Sequence, residues 1–376
     1  MDFSLNEDQA ILADSIAKFI DSEYDFETRQ TIASSDTGFS QEMWRTFAEL
    51  GITAIPFTEE DGGLGGGPIE LMLVMEQIGR GLVVEPFLAN IVLAGGILNR
   101  AANRDQKAEW LTPLIAGELH AGLAFAEPQA RFNIADIATI AAADGNRFLL
   151  NGRKNLVLNG ATADLLIVPA RTSGKQTDRD GVSLFAVPAD TPGIKCNGYP
   201  TVDALQAADL SFDNVPIPED ALLGELHKGF DTFSRTIDDA TLAVSAEAVG
   251  IMQVMHDKTV EYTKTRKQFG VPIGTFQALQ HRMVDTMTAC EQSRSLLYWA
   301  VMLAAADEPS SGQAISAIKY QVGSAGIHVA REAVQLHGGM GVTWELDIGH
   351  YLKRITAIDI LFGNADYHLD RFADNT

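Results

Sequence analysis

Arg147-Phe148-Leu149-Leu150-Asn151-Gly152, entered through the turn Asp144-Gly145-Asn146, reads as a strand leaving a hairpin. Leu165-Leu166-Ile167-Val168 and Val182-Ser183-Leu184-Phe185-Ala186-Val187 read the same way, as short β-type runs bounded by turn residues. These runs lie between about Leu119 and Gly224, a stretch holding seven of the chain's 13 prolines, which argues against long helices there. On both sides the pattern turns helical. Upstream, Asn6 is placed to cap a segment through Phe19 in which Ile11, Leu12, Ile16, Phe19 and Ile20 recur at helical spacing. A second helical pattern runs from Ser40 to Leu50 and stops at Gly51. The loop Glu59-Glu60-Asp61-Gly62-Gly63-Leu64-Gly65-Gly66-Gly67-Pro68 follows, and helical patterning resumes from about Ile69 to about Ala116. Downstream, helical patterning begins near Lys228 and continues to the end. Helices, then a β segment, then helices predict an α+β chain with domains at about 1–118, 119–226 and 227–376, and no internal repeat.

The 376 residues are 46% hydrophobic and 21% charged, which excludes a disordered or fibrous chain and suggests two or three domains. The formal net charge is −22, so neither nucleic acid nor an anionic membrane surface is expected as a partner. A local basic pocket for a phosphorylated ligand remains compatible with that charge. Cys196 and Cys290 form no CxxC and no disulfide framework. The opening Met1-Asp2-Phe3-Ser4-Leu5-Asn6-Glu7-Asp8 is acidic, unlike a basic-then-apolar signal peptide. No uninterrupted apolar stretch reaches the ~18–20 residues of a membrane span. The expectation is a soluble cytoplasmic protein.

Three clusters carry chemical content. Ala126-Glu127-Pro128 with Asn151-Gly152-Arg153-Lys154 and Asn159-Gly160 reads equally well as turns between strands or as a site. Thr265-Arg266-Lys267-Gln268-Phe269-Gly270, continuing through Pro272-Ile273-Gly274 to Phe276-Gln277, has the cations and the glycine that end a helix. The same residues suit a diphosphate held by Arg266 and an aromatic ring covered by Phe269. Gln335-Leu336-His337-Gly338-Gly339-Met340-Gly341 either terminates a helix or lets backbone N–H groups approach a phosphate. It lacks the strand–turn–helix setting of a dinucleotide fingerprint or a P-loop. His337, His350 and Asp347 fit no compact metal-ligand spacing, and no metal is expected.

Taken in order, Glu127-Pro128, Asn151-Gly152-Arg153-Lys154, Arg266-Lys267-Gln268-Phe269-Gly270 with Phe276-Gln277, and Gln335 with Gly338-Gly339 resemble the flavin-dependent acyl-CoA dehydrogenase family over essentially the whole chain. The resemblance implies an N-terminal helical domain, a middle β-barrel or sandwich domain and a C-terminal four-helix domain. It implies FAD, bound across a subunit interface, with an acyl-CoA substrate and an electron-transfer flavoprotein or similar acceptor. Arg266, Phe269, Gln277, Gln335, Gly338 and Gly339 would hold the adenine–diphosphate half for a neighbouring subunit.

The flavin side departs from the family pattern. Relatives carry a Gly-Ser turn where this chain has Arg131-Phe132, and a tryptophan and a threonine where it has Leu156 and Leu158. A leucine cannot hydrogen-bond a flavin as a threonine hydroxyl does.

The reaction implied by the resemblance needs a carboxylate to take the α proton while the flavin takes the β hydride. The family's usual glutamate near the C-terminus aligns with Phe362 or Gly363, and the isovaleryl-type position aligns with Ala240. Glu247, on a small-residue stripe with Ala243, Val244, Gly250, Ile251 and Val254, is the substitute expected to act as the base. The alternative for Glu247 is a structural ion pair, with Arg235, Arg266 or a partner subunit. Asp238 and Asp239 are lesser candidates. Trp344-Glu345-Leu346-Asp347 through Arg354, with Ala246 to Gly250, resembles bacterial members that act on bulky or dicarboxylic acyl-CoA esters, including steroid side-chain esters, several of them as heterotetramers of two unlike chains. The function implied is α,β-desaturation of an acyl-CoA thioester. The chain would be a catalytic subunit or a non-catalytic partner that completes FAD binding for a paralogous chain in an α2β2 particle; a homotetramer is the remaining assembly.

Overall fold

The computed structural model describes residues 5–374. Two compact units gather from discontinuous segments. A helical unit combines the residues up to Thr31, Gly67–Val83 and those from Thr241 onward; a sheet unit combines Ile32–Gly66 and Val84–Ala240.

The sheet unit holds eight strands: β1 (Ala121–Leu123), β2 (Ile140–Asp144), β3 (Arg147–Leu158), β4 (Leu165–Arg171), β5 (Val182–Pro188), β6 (Ile194–Pro200), β7 (Gln206–Pro218) and β8 (Leu222–Leu223). They are ordered β6-β7-β3-β2-β4-β5-β8, with β1 parallel alongside β4. Gly145, at φ +66°, makes the β2–β3 hairpin turn that Asp144-Gly145-Asn146 foretells. Alternation on β3 sends Phe148 and Leu150 into a core with Val168, Phe185, Leu210 and Val215, and a register slip further along returns Val157 to the same core. The register slips twice along β3, between Leu150 and Gly152 and between Lys154 and Val157. The second slip puts Leu156 in left-handed backbone at φ +49°, a conformation that a bulge accommodates.

Helical patterning from Ile69 to Ala116 resolves into several pieces. Pro68–Gly81 is one α-helix, which ends at Leu82 with φ +49°. Leu88–Gly95 is wound as a π-helix whose eight residues are all buried, and Lys107–Leu111 is wound the same way. Apolar periodicity cannot tell these windings apart, and Pro86 and the Asn103 cap break the run.

In the helical unit, Asn6 caps Glu7–Glu23: its side chain accepts from the Gln9 N–H at 2.8 Å while the Gln9 side chain accepts from the Asn6 N–H. The other main helices are Phe230–Thr265, within which the division between units falls, Gln277–Ala305, Ser311–His337, Ile348–Ile360 and Ala365–Asp374. Pro68–Gly81 and Phe230–Thr265 cross in reciprocal contact. A Cβ on Gly79 would lie 2.1 Å from the Glu247 carbonyl oxygen, and one on Gly250 would lie 2.1 Å from that of Glu76. Only glycine permits this backbone approach. No helix among the described residues is long and apolar enough to cross a membrane.

Candidate functional site

Glu247 sits one turn before Gly250 on the face that meets Pro68–Gly81, and it is only 2% exposed. A carboxylate buried there needs a cation, and Arg354 of helix Ile348–Ile360 supplies it. Arg354 Nε donates to Glu247 Oε1 at 2.5 Å and Nη2 to Oε2 at 2.7 Å, a bidentate fork with both partners buried. The ion-pair alternative thus has a partner that local spacing did not suggest: Arg354, not Arg235 or Arg266. Both carboxylate oxygens are engaged, which is the geometry of a structural pair. Arg354, named only as the end of the Trp344 motif, could not be read as the partner of Glu247 because it lies 107 residues away, and only the burial of Glu247 signals that some cation must face it.

The positions that align with the family's base carry no carboxylate. Ala240 is fully buried. Asp239 pairs with Arg100 inside the sheet unit; burial pushes its carboxyl up against the pull of that arginine. Near the C-terminus, Phe362 and Gly363 occupy left-handed backbone at φ +59° and +109°. The turn is pinned by Lys319, wholly buried, whose ammonium donates to the carbonyls of Asp359 at 2.9 Å and Gly363 at 2.6 Å. Burial draws that ammonium down to about 8. Sequence reasoning missed Lys319, since a lysine on a helical pattern reads as solvated.

In the sheet unit, Glu127 and Lys154 form a second buried pair at 2.8 Å. Glu127 also accepts from the N–H groups of Ala138 at 2.8 Å and Thr139 at 3.2 Å, and from Gln129 Nε2 at 3.0 Å. Lys154 also donates to the Pro169 carbonyl at 2.8 Å. Burial alone would raise the Glu127 carboxyl, but the ammonium and these hydrogen bonds outweigh it and hold the group below the usual carboxylate range. The pair fastens the 127–139 loop to β3. That loop carries Arg131, exposed at φ +49°, and Phe132, while the half-buried Leu156 and Leu158 follow Lys154 on β3. The positions that the resemblance assigns to the flavin therefore present leucine side chains and an arginine–phenylalanine turn.

The adenine-side candidates lie in the helical unit and are all exposed: Arg266, Phe269, Gln277, Gln335, Gly338 and Gly339. Lys267-Gln268 and Val271-Pro272 pair as a small hairpin turning through Phe269 at φ +55° and Gly270 at φ +84°. Phe269 is 93% exposed at its tip, touching Phe276 edge-on at 6.3 Å between ring centroids. Among the described residues, the Arg266 guanidinium makes no ion pair and the Gln277 and Gln335 side chains make no hydrogen bond. Gly338 needs its glycine for φ +62°, whereas Gly339 has no such need and nothing lies within 4 Å of where its Cβ would be. The Gly338–Val342 turn and the end of Phe230–Thr265 meet where Tyr262 stacks on His337 at 4.4 Å. A free guanidinium, an unpacked aromatic ring, two unpaired amides and an open glycine backbone fit a diphosphate and a flat ring supplied from outside. His337, His350 and Asp347 are occupied otherwise: they bond the Ala333 carbonyl at 2.8 Å, the Trp344 carbonyl at 3.2 Å and Lys258 respectively.

Three family models match consecutive segments of the chain: acyl-CoA dehydrogenase N-terminal domain over residues 6–118, middle domain over 122–215 and C-terminal domain over 227–376. Short-chain specific acyl-CoA dehydrogenase, mitochondrial, of Bos taurus is 30% identical over 328 residues, covering 86% of this chain and 79% of that one. Among solved structures, the Tcur3481-Tcur3483 steroid ACAD superposes with TM-score 0.88 at 27% identity, covering 99% of this chain and 98% of that chain. The ChsE4-ChsE5 complex of Mycobacterium tuberculosis superposes with TM-score 0.91 at 25% identity, covering 100% of this chain and 98% of that chain. With three family models matched in order along it and a 30% identical relative covered over 79% of its length, this chain belongs to the acyl-CoA dehydrogenase family.

Proposed function

We propose that the chain is a subunit of an FAD-dependent enzyme that introduces the α,β double bond of an acyl-CoA thioester. Within that enzyme it completes FAD binding for a paralogous, base-bearing chain in an α2β2 assembly. FAD is the family's cofactor, and when bound it accepts the β hydride. The carrying observation is the asymmetry of this chain. Its adenine–diphosphate residues are free and exposed, while Leu156, Leu158 and the Arg131-Phe132 turn stand at the flavin positions and Glu247 is locked to Arg354. Arg266, Gln335 and the Gly338-Gly339 backbone would hold the diphosphate, with Phe269 against the adenine and Gln277 beside it. Glu247 and Arg354 would keep the helical unit packed, leaving proton abstraction to the partner chain. The likeness to a steroid ACAD favours a bulky steroid side-chain acyl group as substrate, and the likeness to a two-chain complex favours an unlike partner. An electron-transfer flavoprotein is the acceptor that suits this chemistry.

Replacing Arg266 with alanine removes the charge-assisted contact that its guanidinium would offer a diphosphate. Arg266→Ala is expected to weaken FAD retention about tenfold or more. Gel filtration with absorbance at 450 nm and circular dichroism checks this: flavin lost, helicity kept. Undiminished flavin would remove Arg266, and with it the proposed arm, from the cofactor site.

A further inference from the structure

Lys258 and Tyr262 lie at i and i+4 on Phe230–Thr265, and Arg266, the first residue past its end, follows at i+8 with its N–H still bonded to the Tyr262 carbonyl at 2.8 Å, a stripe about 12 Å long. The first two grip the two ends of one segment. Tyr262 stacks on His337 with ring centroids 4.4 Å apart and 28° between planes, and its hydroxyl reaches the His337 carbonyl at 3.4 Å. Lys258 forms an ion pair with Asp347. Between those grips run residues 338–346, which include Gly338 and Gly339.

The segment is also tied down from within. A Cβ on Gly341 would lie 2.6 Å from the Val334 carbonyl oxygen, so the turn lies hard against Ser311–His337. His350 Nε2 bonds the Trp344 carbonyl, and Lys353 sits over the Trp344 ring at 4.3 Å. The third residue of the stripe, Arg266, is the unpaired cation. We propose that Tyr262–His337 and Lys258–Asp347 form a two-point clamp that positions the Gly338-Gly339 turn relative to Arg266. In this arrangement, backbone N–H groups and a guanidinium approach the same diphosphate together.

Tyr262, His337, Lys258 and Asp347 are positioning residues, since they act through the turn. The neutral stack is part of the device. Burial lowers the His337 imidazole, and its Nδ1–H donates to the Ala333 carbonyl, which fixes the ring plane that Tyr262 meets. The grip therefore rests on the aromatic ring at position 262, since the contact of its hydroxyl with the His337 carbonyl, at 3.4 Å, is at the long limit of a hydrogen bond.

The inference rests on the diphosphate reading of the arm, and the test separates the two. The FAD-loaded particle, purified through a tag on this chain, is diluted and FAD release is followed by its fluorescence for the wild type, Arg266→Ala, Tyr262→Leu, Tyr262→Phe and Lys258→Met. Tyr262→Leu should release FAD about tenfold faster, Lys258→Met several-fold faster, and Tyr262→Phe within about twofold of the wild type. The thermal midpoint of each FAD-stripped particle is measured in parallel. Faster release by Tyr262→Leu with an unchanged stripped midpoint, restored by phenylalanine, supports the clamp. Loss of stripped stability with unaltered release would make the stack merely structural and overturn the proposal. Release unaffected by Arg266→Ala would overturn the diphosphate reading itself, whereas an effect of Arg266→Ala without one of Tyr262→Leu would overturn the clamp alone.

Discussion

Glu247→Gln is expected to destabilise the particle by about 3–5 kcal/mol, the cost of breaking a buried ion pair from one side. The substitution keeps the shape of the side chain but leaves the Arg354 guanidinium, itself 5% exposed, facing a neutral amide in a low-dielectric interior. One amide end can still accept a hydrogen bond; the other now carries N–H groups opposite a donor. Arg354→Met should cost a similar amount by stranding the carboxylate. The double variant Glu247→Met with Arg354→Met should recover most of the loss, because replacing both members removes two desolvated charges at once. Urea unfolding of the single and double variants gives the coupling directly. The opposite outcome is a Glu247→Gln particle of unchanged stability whose turnover falls by the ~10²-fold typical of losing a positioned base. That result would make Glu247 the base after all.

Lys154→Met should cost about as much in the sheet unit, roughly 3–5 kcal/mol at neutral pH. It removes the only cation facing Glu127 among the ion pairs of the described residues and frees the Pro169 carbonyl of its donor. The loss should depend on pH in a defined direction. In the wild type the Glu127 carboxyl is held below its ordinary range, so its contribution is fully present above the unfolded carboxylate value and disappears as pH falls through the folded one. Without the ammonium, burial acts unopposed by charge and favours the protonated acid. The gap between wild type and Lys154→Met should therefore be widest at pH 7 and narrow toward pH 4. Urea midpoints at the two pH values check it. A gap independent of pH would mean that the pair contributes through packing of the lysine stem alone.

Local chemistry was readable because it is decided by neighbours in the chain. The Asn6 cap and the Gly145 hairpin follow from residue types within three positions of one another. Helix Phe230–Thr265 begins two residues after Lys228, where its patterning starts. The candidate arm was readable for a different reason: Arg266, Phe269, Gln335 and the glycines lie in short motifs whose order along the chain matches a family. Long-range pairing was not readable. Nothing near Glu247 points to Arg354, and nothing in Gly79 or Gly250 alone announces that each must leave room for the other helix's carbonyl. The π-winding of Leu88–Gly95 was hidden for the same reason, since an eight-residue run with every side chain buried carries no amphipathic period. Lys154 was visible as part of a motif, but its wholly buried ammonium was not, because a lysine is ordinarily solvated.

The division of labour between two unlike chains is tested most directly by the stoichiometry of the native particle. Purified through a tag on this chain from cells that also express its paralogues, the particle is weighed by native mass spectrometry and its FAD counted by absorbance at 450 nm. The account predicts two copies of this chain with two of a second dehydrogenase chain, and one FAD for every two chains. A homotetramer of this chain alone carrying one FAD per chain would contradict it.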